Sequence, residues 1–489
     1  MKDLLIQEAS LGYTENGALT HTTSGSCCLD LFARGGAMRF ADEQEILTLF
    51  SRAFTEDKSI AMKLLFYIRD VRGGLGERRF FRTVIRWLAQ NETEVLLNNL
   101  AFIPEYGRYD DLLVLLDTPV KDACIAIMKM QLDADLEALK EEGKAVSLLA
   151  KWLPSVNASN AETVKQGKML ARAFKMSDAC YRKTLSALRG RIDLMENRLR
   201  EKDYTFNYEK QSAKALYKYR AAFWRNDSAR YADFLKKASA GQARLNASTL
   251  SPYELVTPML LGGKGMTEQE KTALNATWQS LPDYGCGQNV LAVIDTSGSM
   301  YYSCSSPMPA AVAMSLGLYC AERNEGLFKN CFITFSETPK VVELKGETFV
   351  DRLRYATSYS EIANTDLQAV FELILHTAVK HHLKQEHMPD RLVIISDMEF
   401  DSCMENADLT NYQLAKKNFE EAGYTLPQVV FWNVASRHAN LPVKEDDSGT
   451  ALVSGCTPRL FEMVAKGELS PYHFMLEVLS SQRYLPIAA

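Results

Sequence analysis

Near residue 286 the hydrophobic period of the chain changes, and no other feature restricts its fold as strongly. Before that point apolar residues recur at i, i+3, i+4 and i+7, as in 45–50, 61–68 and 80–88, the spacing of helices buried on one face. Further helical stretches are predicted at about 108–118, 121–142, 160–175, 178–200, 211–222 and 228–238, and no strand alternation is readable before 288. After it, short apolar runs at 290–294, 331–335, 391–396, 428–434 and 451–453 alternate with helical stretches at 308–323, 366–383 and 411–422. Strands apolar on both faces need helices above and below, so this half predicts a doubly wound parallel sheet. Glycines and prolines between 240 and 287 punctuate the junction.

With 489 residues the chain exceeds one ordinary core. The sequence divides into an N-terminal arm over 1–40, a helical region over 41–285 and an α/β region over 286–489. The arm is rich in Gly, Ser and Thr and predicts a loosely structured docking segment. Short helices joined by short loops predict an all-helical, repeat-like (HEAT-like) array, although no repeat of fixed period is visible. Apolar residues make up 47% and charged residues 24%, which excludes a disordered chain. The net charge of −5 hides a gradient. Residues 291–489 carry 16 Lys+Arg against 25 Asp+Glu, whereas 151–250 carry 21 against 9. An acidic chain can therefore still present one basic face.

The N-terminal residues place acids where an export signal needs an apolar stretch, and nothing approaches the ~18 apolar residues of a membrane span. Ten scattered cysteines without a Cys-x-x-Cys pair predict reduced thiols and a cytoplasmic protein. Nucleotide and hydrolase motifs are missing: the turn 262–265 does not fit a phosphate loop, and Gly73-Gly74-Leu75-Gly76 follows no strand. The cluster His376, His381, His382 and His387 reads as a solvated helix end. No paired carboxylate or general base is assignable, so no enzyme is expected.

One loop does carry chemistry. The run 290–294 leads directly into Asp295-Thr296-Ser297-Gly298-Ser299, which concentrates a carboxylate and two hydroxyls where a doubly wound sheet binds ligands. Thr365, in Asn364-Thr365-Asp366, and Asp397, at the end of 394–397, would add a hydroxyl and a second carboxylate from neighbouring loops. An all-oxygen set suits a hard divalent cation, Mg²⁺ or Mn²⁺. The simpler alternative makes Ser297 and Ser299 helix caps, as Asp366 is expected to be. The five residues Asp295, Ser297, Ser299, Thr365 and Asp397 resemble the metal-ion-dependent adhesion site of von Willebrand factor A domains. That resemblance implies a von Willebrand A-like fold for 286–489.

The segments 66–78, 147–155, 364–371, 396–401 and 430–433 together resemble a family of unknown function found in plants, microbes and large viruses. Its layout is similar to that of the TROVE proteins, the Ro autoantigen group. The resemblance implies a helical ring, a terminal metal-site domain and binding of small non-coding or single-stranded RNA. The basic stretch offers candidate contacts: Arg182, Lys183, Arg189, Lys214, Lys218, Arg220 and Arg225 as phosphate ligands, with Tyr217 and Trp224 as stacking rings. Equally, the rings can be core and the cations a solvated helix face. Arginines of the loop 69–79 either touch RNA or pair with acids such as Asp110 and Asp111. The leading expectation is an RNA-binding scaffold with a metal site; the alternative is a metal-dependent adaptor that takes an acidic side chain from a protein partner.

Overall fold

The computed structural model describes residues 1, 9–192, 194–262, 265–301, 307–360, 364–402, 409–465 and 469–489. Gly263, Lys264, Cys304 and Cys403 lie outside the described residues. The first elements are two short strands, β1 (Leu11–Tyr13) and β2 (Leu19–His21), paired antiparallel. A helix, α1 (Cys27–Gly35), follows and is buried along nearly its whole length. Two expectations are corrected here. Strands do occur before residue 288, and the segment 1–40 holds a hairpin and a core helix. Three-residue strands are too short for a readable alternation, and the small residues of this segment serve close packing instead of looseness.

The helical half continues with α2 (Glu43–Glu56), α3 (Lys58–Arg69), α4 (Arg79–Asn91), α5 (Lys121–Lys140), α6 (Ala161–Ala173), α7 (Asp178–Arg191), α8 (Ala213–Asn226), α9 (Ser228–Ser239), α10 (Tyr253–Gly262) and α11 (Glu268–Gln279). Many starts are set by a residue that accepts from the exposed amides of the first turn: Asp42 from Glu45, Asp57 from Ile60, Ser177 from Cys180, Ser212 from Ala215. Several neighbouring helices pack against one another, among them α1 on α2, α2 on α3, α3 on α4, α6 on α7 and α8 on α9, giving the repeat-like array.

The second half is one six-stranded sheet. To β3 (Val290–Asp295), β4 (Cys331–Phe335), β5 (Val341–Glu343), β6 (Arg391–Ser396), β7 (Gln428–Asn433) and β8 (Thr450–Ser454) correspond the spatial order β5-β4-β3-β6-β7-β8. Only β5 runs antiparallel to its neighbour. The helices α12 (Pro309–Arg323), α13 (Phe349–Thr357), α14 (Leu367–Lys380) and α15 (Asn411–Glu421) supply the crossovers, and α16 (Pro471–Leu479) closes the chain. Every residue of β3 is buried, as a strand covered on both faces must be. The chain steps from β3 to β4 on one side and returns to β6 on the other. The loops leaving β3 and β6 therefore flank the crevice where the winding reverses.

The two halves are tied at both ends of the chain. Ser454 Oγ at the end of β8 donates to the Phe32 carbonyl at 2.9 Å and accepts from Gly36 N at 3.0 Å. From the C-terminus, Arg483 and Tyr484 reach the fully buried Asp70 after α3, Arg483 Nη2 at 2.8 Å and the tyrosine hydroxyl at 3.1 Å. Losing Arg483 would leave this buried carboxylate without its cation, a change worth several kcal/mol.

Candidate functional site

At the carboxyl end of β3, Asp295 is fully buried. Its Oδ1 accepts from Ser297 N at 2.9 Å and its Oδ2 from Ser396 Oγ at 2.6 Å. A single tight turn, Gly298–Tyr301, folds Ser299 back so that its hydroxyl lies 3.1 Å from that of Ser297. Ser299 also bonds the carboxylate of Asp397, at 2% exposure just beyond β6. Asp397 is held there by a sharp reversal: Met398 takes φ = +67°, and its N–H donates to Ser396 Oγ at 3.1 Å. A left-handed methionine is uncommon enough to mark a position the site dictates.

Four of the five residues read from sequence are thus linked side chain to side chain. The fifth, Thr365, is buried but turned to its neighbours: its hydroxyl donates to the Glu399 carbonyl at 2.7 Å and accepts from Asn16 Nδ2 at 3.2 Å. Asp366 caps α14, accepting from Ala369 N, as expected.

This corner gathers three buried carboxylates, Asp295, Asp397 and Glu399, beside one guanidinium, that of Arg437. Burial, and then the charge of Asp397, push Asp295 up to about 7. Burial raises Asp397 as well, against the pull of Arg437, whose Nη2 lies 3.1 Å from Oδ2. Two carboxylates raised by burial, with the charge of Asp397 adding to the rise of Asp295 and hydroxyls around them, form an oxygen set that a divalent cation would relieve. The donors fit Mg²⁺ or Mn²⁺: Asp295, Ser297, Ser299 and Thr365 would supply oxygens, and Asp397 the neutralising charge behind them.

A second feature of opposite sign opens between the helical half and the loop after β8. It is a cleft of about 420 Å³, lined by Arg39, Arg69, Arg72, Arg78, Arg108, Lys214 and Arg459 but by one carboxylate, Asp70, which Arg483 already neutralises. Some of these cations are spent inside the fold: Arg69 on Asp111 at 2.7 Å, Arg39 on Glu77, Lys214 on Glu254 at 3.4 Å. Arg78 and Arg108 have no carboxylate in ion-pairing reach among the described residues. Burial, and then the charge of Arg78, hold Arg108 below the ordinary guanidinium range. The Arg108 guanidinium lies over the Trp152 ring, 4.8 Å from its centre, and that of Arg459 over Tyr284 at 5.7 Å. The loop carrying Arg72 and Arg78 is pinned to the end of α3. A Cβ on Gly74 would fall 2.0 Å from the Tyr67 carbonyl oxygen, so only glycine allows that approach.

The basic stretch divides in the structure. Arg182 and Lys183 are exposed and line a groove of about 910 Å³ with Arg198 and Arg200; Arg225 is exposed on α8. Lys218 is exposed near Glu196, at 3.9 Å. The remaining candidates, Arg189, Lys214, Tyr217, Arg220 and Trp224, each have a partner within the chain. Arg189 donates to the carbonyls of Ala150 and Leu153, both at 2.8 Å, and to Ser155 Oγ. The Tyr217 hydroxyl donates to the Glu254 carbonyl at 2.7 Å, while Arg220 stacks on its ring at 4.2 Å and donates to its carbonyl. Trp224 packs edge-on against the buried Tyr231 at 5.2 Å. An amphipathic helix that interleaves cations with rings buries the rings whenever another helix lies alongside. Sequence reasoning placed the loop 69–79 among possible contacts but missed Arg108, Trp152 and Arg459, which lie far apart in sequence and carry no local motif.

Comparison with known proteins identifies relatives without a known role. A domain of unknown function (DUF2828) matches residues 14–130 and 158–283, and another (DUF7788) matches 289–472. The boundary between them coincides with the change of hydrophobic period. An uncharacterized protein, L728 of Acanthamoeba polyphaga mimivirus, is 29% identical over 516 aligned positions, which cover 98% of this chain and 89% of that protein. Among solved structures, the Ro (RSR) protein of Deinococcus radiodurans aligns over 93% of this chain and 96% of its own, at 15% identity and a TM-score of 0.37. No helix among the described residues is long and apolar enough to cross a membrane.

Proposed function

We propose that this protein is an RNA-binding scaffold and not an enzyme. Single-stranded RNA occupies the arginine-lined cleft, and the C-terminal half, a von Willebrand A-like domain, holds one divalent cation. The observation that carries the RNA reading is the pair Arg78 and Arg108, neither in an ion pair among the described residues, in a cleft with aromatic walls. Like-charged guanidiniums held together cost stability unless an anion joins them. Guanidiniums match phosphate oxygens in a bidentate manner, and rings such as Trp152 offer faces to unpaired bases. The volume falls in the ~300–1,000 Å³ range of small-ligand sites, enough for a base and its phosphate and too small for a duplex. The metal reading rests on the linked oxygens at Asp295, Ser297, Ser299 and Asp397. Eight free cysteines among the described residues suit a reducing, cytoplasmic setting.

The test is the affinity of a short fluorescent single-stranded RNA for the full chain, read by anisotropy at several salt concentrations. Arg78→Glu combined with Arg108→Glu is expected to weaken binding at least 100-fold. Reversal of Arg182 and Lys183 in the outer groove is expected to cost less. Equal binding by the parent and the cleft variant would remove the RNA reading and leave the metal-dependent adaptor, in which the cation takes an acidic side chain of a protein partner.

A further inference from the structure

The turn between β1 and β2 lies against the metal corner. Thr14 Oγ1 donates to the Phe400 carbonyl at 2.6 Å, and Glu15 N donates to Glu399 Oε2 at 2.8 Å. Asn16 Nδ2 donates to the Glu399 carbonyl at 2.7 Å and to Thr365 Oγ1 at 3.2 Å. The Glu15 carboxylate holds Nη1 of Arg437 at 2.7 Å, while Nη2 of the same guanidinium holds Asp397 at 3.1 Å. Two residues of this turn thus engage two of the five groups assigned to the cation, Asn16 directly on Thr365 and Glu15 on Asp397 through Arg437. Nothing in the packing of a hairpin requires this, since β1 and β2 are anchored separately through the pair His21–Leu441.

We propose that the turn Thr14–Gly17 is a strap whose docking competes with the divalent cation, with Arg437 acting as a built-in cation on Asp397. The inference rests on the metal reading above. A cation at the site draws on the charge of Asp397, which Arg437 now neutralises, and on the oxygen of Thr365, which Asn16 now uses as an acceptor. Binding at one is therefore opposed by the other, and the opposition is reciprocal: whatever loosens the strap tightens the metal, and metal loosens the strap. The strap is suited to release because Glu15 and Arg437 are partly exposed, at 53% and 35%, and bonded through water-accessible groups.

The experiment measures Mg²⁺ affinity of the full chain by calorimetry, together with amide exchange over residues 11–21 with and without Mg²⁺. Arg437→Gln is expected to tighten Mg²⁺ roughly ten-fold, the effect of removing one neighbouring unit charge. Asn16→Ala, an exposed turn position that leaves the fold intact, is expected to tighten it by a smaller factor. Exchange in the hairpin should accelerate when Mg²⁺ is added to the unmutated chain. Equal Mg²⁺ affinity in all three proteins, with unchanged exchange, overturns the strap while leaving the metal site. Absence of Mg²⁺ binding in all three overturns the metal reading and the strap together.

Discussion

The carboxyl edge of one parallel sheet borders two regions of opposite charge. After β3 and β6 it gathers Asp295 and Asp397, each raised by burial; after β8 its loop faces Arg78 and Arg108, the latter lowered by burial and by its neighbour. Two other buried carboxylates are neutralised by the chain itself. Asp111, fully buried, receives Arg69 at 2.7 Å and Arg82 at 2.7 Å, and Asp70 receives Arg483. The difference teaches where to look for ligands. Like charges held together without a full complement from the chain are where a ligand from outside would add most.

The comparison breaks most visibly at the cationic region. Charge reversal of Arg78 and Arg108 should cost at least 100-fold in RNA affinity, and the parent's affinity should fall with salt by about 0.7 log units per log unit for each phosphate contact. A salt slope near zero would mean that the cleft does not bind a polyanion. At the anionic region, Mg²⁺ at 100 times its dissociation constant should stabilise the fold by about 2.7 kcal/mol, seen as a rise in melting temperature. Asp295→Asn should abolish that rise. Without metal the same substitution should be neutral or mildly stabilising, because it removes one of two repelling charges.

Arg189→Ala sharpens the contrast between partnered and unpartnered cations. Three acceptors lose their donor, so stability should drop by roughly 2 kcal/mol in a denaturant titration, while RNA affinity of the folded protein stays as it was. A last prediction concerns the hairpin. His21, buried on β2, is lowered to about 4 by burial and then by Lys444, so the folded protein keeps it neutral. The unfolded chain binds its proton near 6.5, hence between about 6.5 and 4 the unfolded state holds more protons. Stability present at pH 7 should fall by up to about 1.4 kcal/mol per unit across that window. His21→Gln should flatten the dependence; an unchanged pH profile would show that His21 is not its source.

How much was legible follows from the range of each signal. The helical period, the apolar strands, the junction near 286 and the cluster 295–299 are local patterns, repeated within a few residues, so the sequence alone carried them. Thr365 and Asp397 were readable because each sits beside a recognisable strand end or helix cap. The hairpin and α1 were not: three-residue strands have no period, and several of the Gly, Ser and Thr that suggested a loose arm, such as Ser24, Gly35 and Gly36, are small residues in close packing. The cleft is illegible for a different reason. Arg78, Arg108, Trp152 and Arg459 stand in four segments that only the stacking of helices against the β8 loop brings together. Tertiary packing likewise decided which cations of the basic stretch face water. Arg182 and Arg189 sit two helical turns apart on α7, one exposed, the other spent on carbonyls. Period and composition determine that a helix has an apolar face and a charged one. Which charges are neutralised depends on the neighbour that arrives from elsewhere in the chain, because Coulomb attraction and hydrogen bonding act over a few ångströms of space and are indifferent to distance along the sequence.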